Sequence, residues 1–311
     1  MLVSILLAIS ITLMYSAPLM FAGLGGVISE NAGVVNIGIE GMMTIGAFAG
    51  AAVGYFSGNP WLGFLSGGLA GGLLALVHAV ASITFRADQT ISGVAINFIG
   101  PGLAIFLSRK LFQGSAMTKP VENQIPTIFG SYAAKSSNVL LKAANMEMTV
   151  PLVFICALIM WFILYKTSWG LRIRSVGENP AAADTLGVNV YKIKYLAVFA
   201  SGVLSGFGGA TMTLAVMNYF TQSTISGQGF IALAAVIFGK WKPHGTMAAC
   251  LLFGFAQALV VLLGGSNSKI QIPSALLSML PYVLTLISLV LFVRSSTAPK
   301  ADGVPYVKGG H

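Results

Sequence analysis

The feature that most constrains this chain is a series of apolar stretches, each close to the thickness of a bilayer, separated by short polar breaks. A hydrocarbon core of about 30 Å needs roughly 20 apolar residues per helix. Stretches that meet or approach that length run over 2–22, 33–56, 61–85, 90–108, 149–166, 193–217, 245–265 and 275–293. A shorter piece, 227–239, reads as a half-helix or a tilted span. The expected fold class is an all-α polytopic membrane protein with about 8–9 transmembrane or half-spanning helices. The first stretch has the look of a signal peptide, but it lacks a basic leading region and the chain stays hydrophobic after it, so it reads as a retained span.

Composition agrees. Hydrophobic residues make up 56%, charged residues 8%, and the mean hydropathy is +0.86; a soluble domain carries roughly a quarter charged residues. The net charge of +9 does not imply nucleic acid, because the basic residues lie in the breaks between apolar segments and form no continuous patch. Topology accounts for them better. With the break 166–194 in the cytoplasm, and with 227–239 returning the chain across the membrane, eleven basic residues fall inside and six outside, as the positive-inside rule requires. The N-terminus then lies outside if 33–56 crosses once, and inside if it re-enters.

That break, KTSWGLRIRSVGENPAAADTLGVNVYKIK, gathers Lys166, Arg172, Arg174, Glu178, Asp184, Lys192 and Lys194, and is the expected docking place of a soluble partner. Asn179 and Pro180 predict an N-cap and first-turn proline, starting a helix through Leu186 that Gly187 stops. So short a helix needs a surface to pack on. A capped surface helix in an ordinary loop explains the same residues.

Four polar side chains inside apolar stretches are candidates for a substrate pathway: Asn36, Glu40, Asn97 and Gln228. Asn36 and Glu40 are expected one helical turn apart on a common face, with Gly33, Gly38 and Gly41 around them. A carboxylate at bilayer depth must face a cavity, find a partner or be protonated. Asn36 and Glu40 could instead lock neighbouring helices together, and Asn97, four residues before Pro101, could do the same. Gln228 opens the short piece between Gly227 and Gly229, so that Gly-interrupted segments occur in both halves of the chain. Gly46, Gly50 and Gly54, Gly63, Gly67 and Gly71, and Gly202 with Gly206 recur every fourth residue, which permits close helix approach. The polar stretch from 113 to 148 is either a docking surface for an extracellular receptor or a solvated connection. The tail 295–311, rich in Gly and Pro, is expected to be disordered.

No G-x-x-x-x-G-K-[ST] occurs, and no H-E-x-x-H or G-x-S-x-G. The chain is therefore not expected to be an enzyme or to bind ATP or another cofactor itself, and its energy must come from elsewhere. Cys156, Cys250 and His78 read as packing residues.

The segment Gly177 to Gly187, GENPAAADTLG, resembles the coupling helix of ATP-binding cassette (ABC) importer permeases, whose E-A-A-x-x-x-G pattern falls on Ala181, Ala182, Ala183 and Gly187. Alanine stands in place of the glutamate, a departure that resembles the branched-chain amino-acid, ribose and nucleoside branch. The runs NAGVVNIGIEGMMTIGAF and ISGVAIN are similar to nucleoside and simple-sugar permeases of bacterial ABC importers.

The resemblance covers about residues 10–293. It implies a type II-like permease domain over 1–294, with a coupling segment at 167–192 (Gly177, Glu178, Asn179, Pro180, Ala181, Ala182, Ala183, Asp184 and Gly187) and an external loop at 113–148. It also implies a bacterial cell membrane, a second and related permease subunit, a cytoplasmic ATPase using ATP and Mg, and an extracellular substrate-binding lipoprotein. Purine nucleosides such as guanosine are the implied cargo, with simple sugars or branched-chain amino acids as alternatives. A proton-coupled carrier using Glu40, or an assembly subunit using 177–187 only as an adaptor, would be of a different class.

Overall fold

A computed structural model describes residues 2–130, 132, 136, 138–264 and 297–308, with isolated positions between 276 and 287. Its helices are α1 (Leu2–Asn31), α2 (Ile39–Ser57), α3 (Pro60–Ala79), α4 (Gln89–Leu111), α5 (Val139–Ala143), α6 (Thr149–Lys166), α7 (Ser168–Glu178), α8 (Pro180–Thr185), α9 (Val190–Thr211), α10 (Gln228–Phe238) and α11 (Pro243–Gly264). π-turns at Val80–Thr84 and Met212–Val216 extend α3 and α9. Among the described residues seven helices are long and apolar enough to cross a membrane, and α10 is a shorter apolar helix. The expected span 275–293 lies largely outside the described residues.

The glycine columns meet one another. α9 packs most extensively on α3, and both pack on α2. A Cβ on Gly46 would lie 2.5 Å from the Gly206 Cα, one on Gly63 2.6 Å from the Gly50 oxygen, and one on Gly67 2.7 Å from the Gly46 oxygen. Three backbones therefore touch where side chains would hold them apart, the close approach on which helix association in lipid depends. Phe64 and Phe207 stack beside this crossing with centroids 4.4 Å apart.

Two boundaries differ from the sequence reading. α1 continues past residue 22 to Asn31, because its polar end finds partners: the Asn31 side chain donates to the Val27 and Trp241 carbonyls (2.7 and 2.9 Å), and Trp241 donates its indole N–H to Glu30. α2 begins only at Ile39, so 32–38 is irregular chain and Asn36 and Glu40 do not share a helical face.

The ends of the bundle sort cleanly. α7, α8, the α10–α11 turn and residues 297–308 gather at one end, as the bonds from Ala301 to Gly177 and from Trp241 to Glu30 attest. At the other end Thr118, Val121 and Ile125 donate to the carbonyls of Phe220, Asn218 and Leu214 (2.8–3.1 Å), and Asn123 donates to the Gly58 carbonyl. Ser10 near the start of α1 donates to Ala143 at this second end. α1 and α2 each cross once, which places the N-terminus opposite the coupling segment. Between 113 and 126 the connection lies along the bundle instead of projecting from it.

Within the tail, residues 297–308 depart from the expected disorder. Ala301 is buried, its N–H donates to the Gly177 carbonyl at 2.9 Å, and Tyr306 packs on Tyr191. Composition does not foresee this, because the contacts holding 297–308 come from α7 and α9.

Candidate functional site

The coupling segment forms from local signals. Thr167 caps α7, its hydroxyl accepting from the Gly170 N–H. Asn179 Oδ1 accepts from the Ala182 N–H at 3.0 Å, Pro180 fills the first helical position where no N–H is needed, and α8 follows. Gly187 at φ 80° ends it, with the Val188 N–H closing on the Ala183 carbonyl. Ala183 is buried, whereas Ala181, Ala182 and Leu186 face outward, Leu186 at 85% exposure. Glu178 and Asn179 are exposed and Asp184 is half-buried. Ala181, Ala182 and Leu186 form an uncharged patch with Glu178 beside it, which suits it to a shallow groove on a partner.

Gly177 and Lys194 of the polar break 166–194 are turned inward as well. Gly177 is buried against the end of α1, where a Cβ would lie 2.9 Å from the Asn31 carbonyl carbon. Lys194, grouped by sequence with the docking charges, is 2% exposed and its ammonium donates to the Gly33 carbonyl at 3.1 Å. Glu30, Trp241 and Asp302 surround the same junction and were missed by the sequence reading. A carboxylate at the end of an apolar helix and another in a Gly/Pro-rich tail resemble ordinary solvated charges.

Within the membrane, the irregular stretch 32–38 is a problem of unsatisfied backbone, since lipid offers no hydrogen bonds. Side chains supply them. Ser29 donates to the Val34 carbonyl (2.7 Å), Gln89 accepts from the Val35 N–H (2.7 Å), and His78 lies 3.1 Å from the Val35 carbonyl. Asn97 bridges the break, donating to the Ile37 carbonyl and accepting from the Gly41 N–H, each at 2.9 Å. Asn36 is fully buried and donates to Ser201 Oγ at 2.8 Å, its own Oδ1 without a partner among the described residues. In this conformation Asn36 is turned into the contact with α9 instead of an open surface.

Glu40 and Gln228 come together. The two carboxylate oxygens accept from the Gly227 and Gly229 N–H groups at 2.6 and 2.7 Å, so Glu40 caps the N-terminus of α10, where the helix dipole favours an anion. This joins the two Gly-interrupted segments that sequence singled out separately. Glu40, Asn97 and Gln228 keep partial exposure, and Gln228 Oε1 has no partner among the described residues. Polar groups thus line a surface at membrane depth.

Residues 8–289 match the family model described as branched-chain amino acid transport system / permease component. The chain belongs to this family. The permease is 49% identical over 313 residues to the guanosine ABC transporter permease protein NupQ of Bacillus subtilis, covering 96% of this chain and 95% of that one. It is 44% identical over 313 residues to the nucleoside ABC transporter permease protein NupC of Lactococcus lactis, covering 95% of each. A second B. subtilis protein, the guanosine ABC transporter permease protein NupP, is 24% identical over 92% of the permease and 81% of its own length.

Proposed function

We propose that the permease is the membrane-spanning subunit of an ATP-driven importer that carries nucleosides, purine nucleosides such as guanosine among them, across a bacterial cell membrane. The observation that carries this reading is near-full-length similarity, at 44–49% identity, to permeases named for guanosine and nucleosides. The polar groups kept at membrane depth, Glu40, Asn97 and Gln228, suit transient hydrogen bonds to ribose hydroxyls or base edges.

The matches to both NupQ and NupP support a pairing of two related permeases. α8 then docks on a cytoplasmic ATPase, where ATP and Mg act, and the loop 113–148 receives a loaded extracellular lipoprotein. A proton carrier built on Glu40 is less well supported, because both oxygens of that carboxylate are already held by backbone N–H groups.

The test is uptake of labelled guanosine, uridine, ribose and leucine by the reconstituted complex, with and without ATP and with Gly187→Trp. ATP-dependent nucleoside uptake that the variant loses while still assembled is the expected result. Uptake that persists without ATP, or that is confined to ribose or leucine, overturns it.

A further inference from the structure

Residues 297–308 are ordered although nothing in their composition favours order. What holds them is a junction at the coupling end. The Ala301 N–H donates to the carbonyl of Gly177, two residues before the Asn179 cap of α8. The Ala301 carbonyl lies where a Cβ on Gly33 would come within 3.1 Å, and the same Cβ would lie 3.3 Å from the Gly177 Cα. Tail, coupling segment and the end of α1 are thus in backbone contact. Asp302 is drawn in as well, one carboxylate oxygen buried with no hydrogen-bond partner among the described residues. Burial pushes its pKa up to about 7, with the Lys194 ammonium pulling the other way. Further along, Tyr306 packs on Tyr191 with centroids 5.6 Å apart, and the Tyr191 hydroxyl reaches the Tyr306 carbonyl.

A tail merely resting on the surface would not bury an alanine backbone and one oxygen of a carboxylate. α8, by contrast, has six residues and needs an external brace to move as part of the bundle. Beyond α8 a hollow of about 380 Å³ is lined by Asp184, Gly187, Asn189, Tyr191 and Lys308, so a partner gripping α8 meets the tail in the same place.

We propose that segment 297–308 is a strap that couples α8 to α1 and α9, carrying movement of the coupling segment into the membrane bundle. It rests on the importer reading above. Ala301, Asp302 and Tyr306 are positioning residues: they touch no substrate and act by fixing the coupling segment.

The test uses the complete complex with a thiol at Ser226→Cys, an exposed position at the far end of the bundle. Its labelling rate is measured with and without a non-hydrolysable ATP analogue, with nucleoside uptake followed in parallel. Cutting the chain after Ser296, or Ala301→Pro, which removes the N–H donated to Gly177, should shrink the nucleotide-driven change in labelling about fivefold or more. Tyr191→Cys with Tyr306→Cys, disulfide-linked, should retain it. An undiminished change in an assembled Ala301→Pro complex overturns the strap. Uptake of some other cargo overturns the nucleoside reading alone, because the labelling readout does not depend on what is carried.

Discussion

At the scale of single residues, the polar side chains inside this membrane protein serve first as partners for backbone. Asn97, His78, Gln89, Lys194 and Ser29 each bond a main-chain group of 33–41. Glu40 does the same for the first turn of α10. Glu40→Gln supplies one acceptor oxygen for two donors and leaves one N–H unmatched, which costs about 1–3 kcal/mol. Glu40→Leu leaves both unmatched and should lower the unfolding temperature in detergent further. Equal thermal stability of the two variants would rule out the capping role. Sequence marked Glu40 and Asn97 as exceptional, since a polar group in an apolar run is visible by itself, but it read His78 as a packing residue, placed Lys194 with the docking charges and passed over Ser29 and Gln89. It did not say which group each would bond, because all the partners except Val34, five residues from Ser29, lie 43 to 189 positions away.

At the scale of elements, local chemistry and long-range packing divide the work. α8 starts at Pro180 and stops before Gly187 as its cap and terminator dictate, and those signals are contained in nine consecutive residues, 179–187. The α2–α3–α9 crossing rests instead on glycines whose spacing is legible but whose partners are not. Gly206→Val should abolish tight packing, since even a Cβ there would lie 2.9 Å from the Gly68 Cα. Gly102, on α4, has nothing within 4 Å of such a Cβ, and Gly102→Ala should be neutral or stabilise by about 0.5–1 kcal/mol. Size-exclusion profiles and thermal unfolding of the two solubilised variants check this; equal damage would mean that the crossing is not what those glycines serve.

At the scale of the molecule, the seven long helices among the described residues and half-length α10 set two ends of different make-up. One carries α8 and the strap, the other the connections 113–126 and 217–227. In intact cells an impermeant thiol reagent should label Ser57→Cys and leave Ala181→Cys unlabelled until the membrane is opened. Background should be low, since Cys250 is buried and Cys156 half-buried. The opposite pattern would invert the topology.

What the sequence by itself determined was the membrane class, most of the spans, the basic bias to one side, the short capped helix at 180–185 and the polar residues Glu40, Asn97 and Gln228 as exceptions within apolar runs. Each is a property of neighbouring residues or of composition. Tertiary structure alone decided that Asn36 is interior, that Glu40 caps a helix from the other half of the chain, that Lys194 turns inward, and that the tail is held. Each of these is a pairing between distant segments, and a hydrogen bond or a backbone contact acquires its partner only when the fold brings the two together.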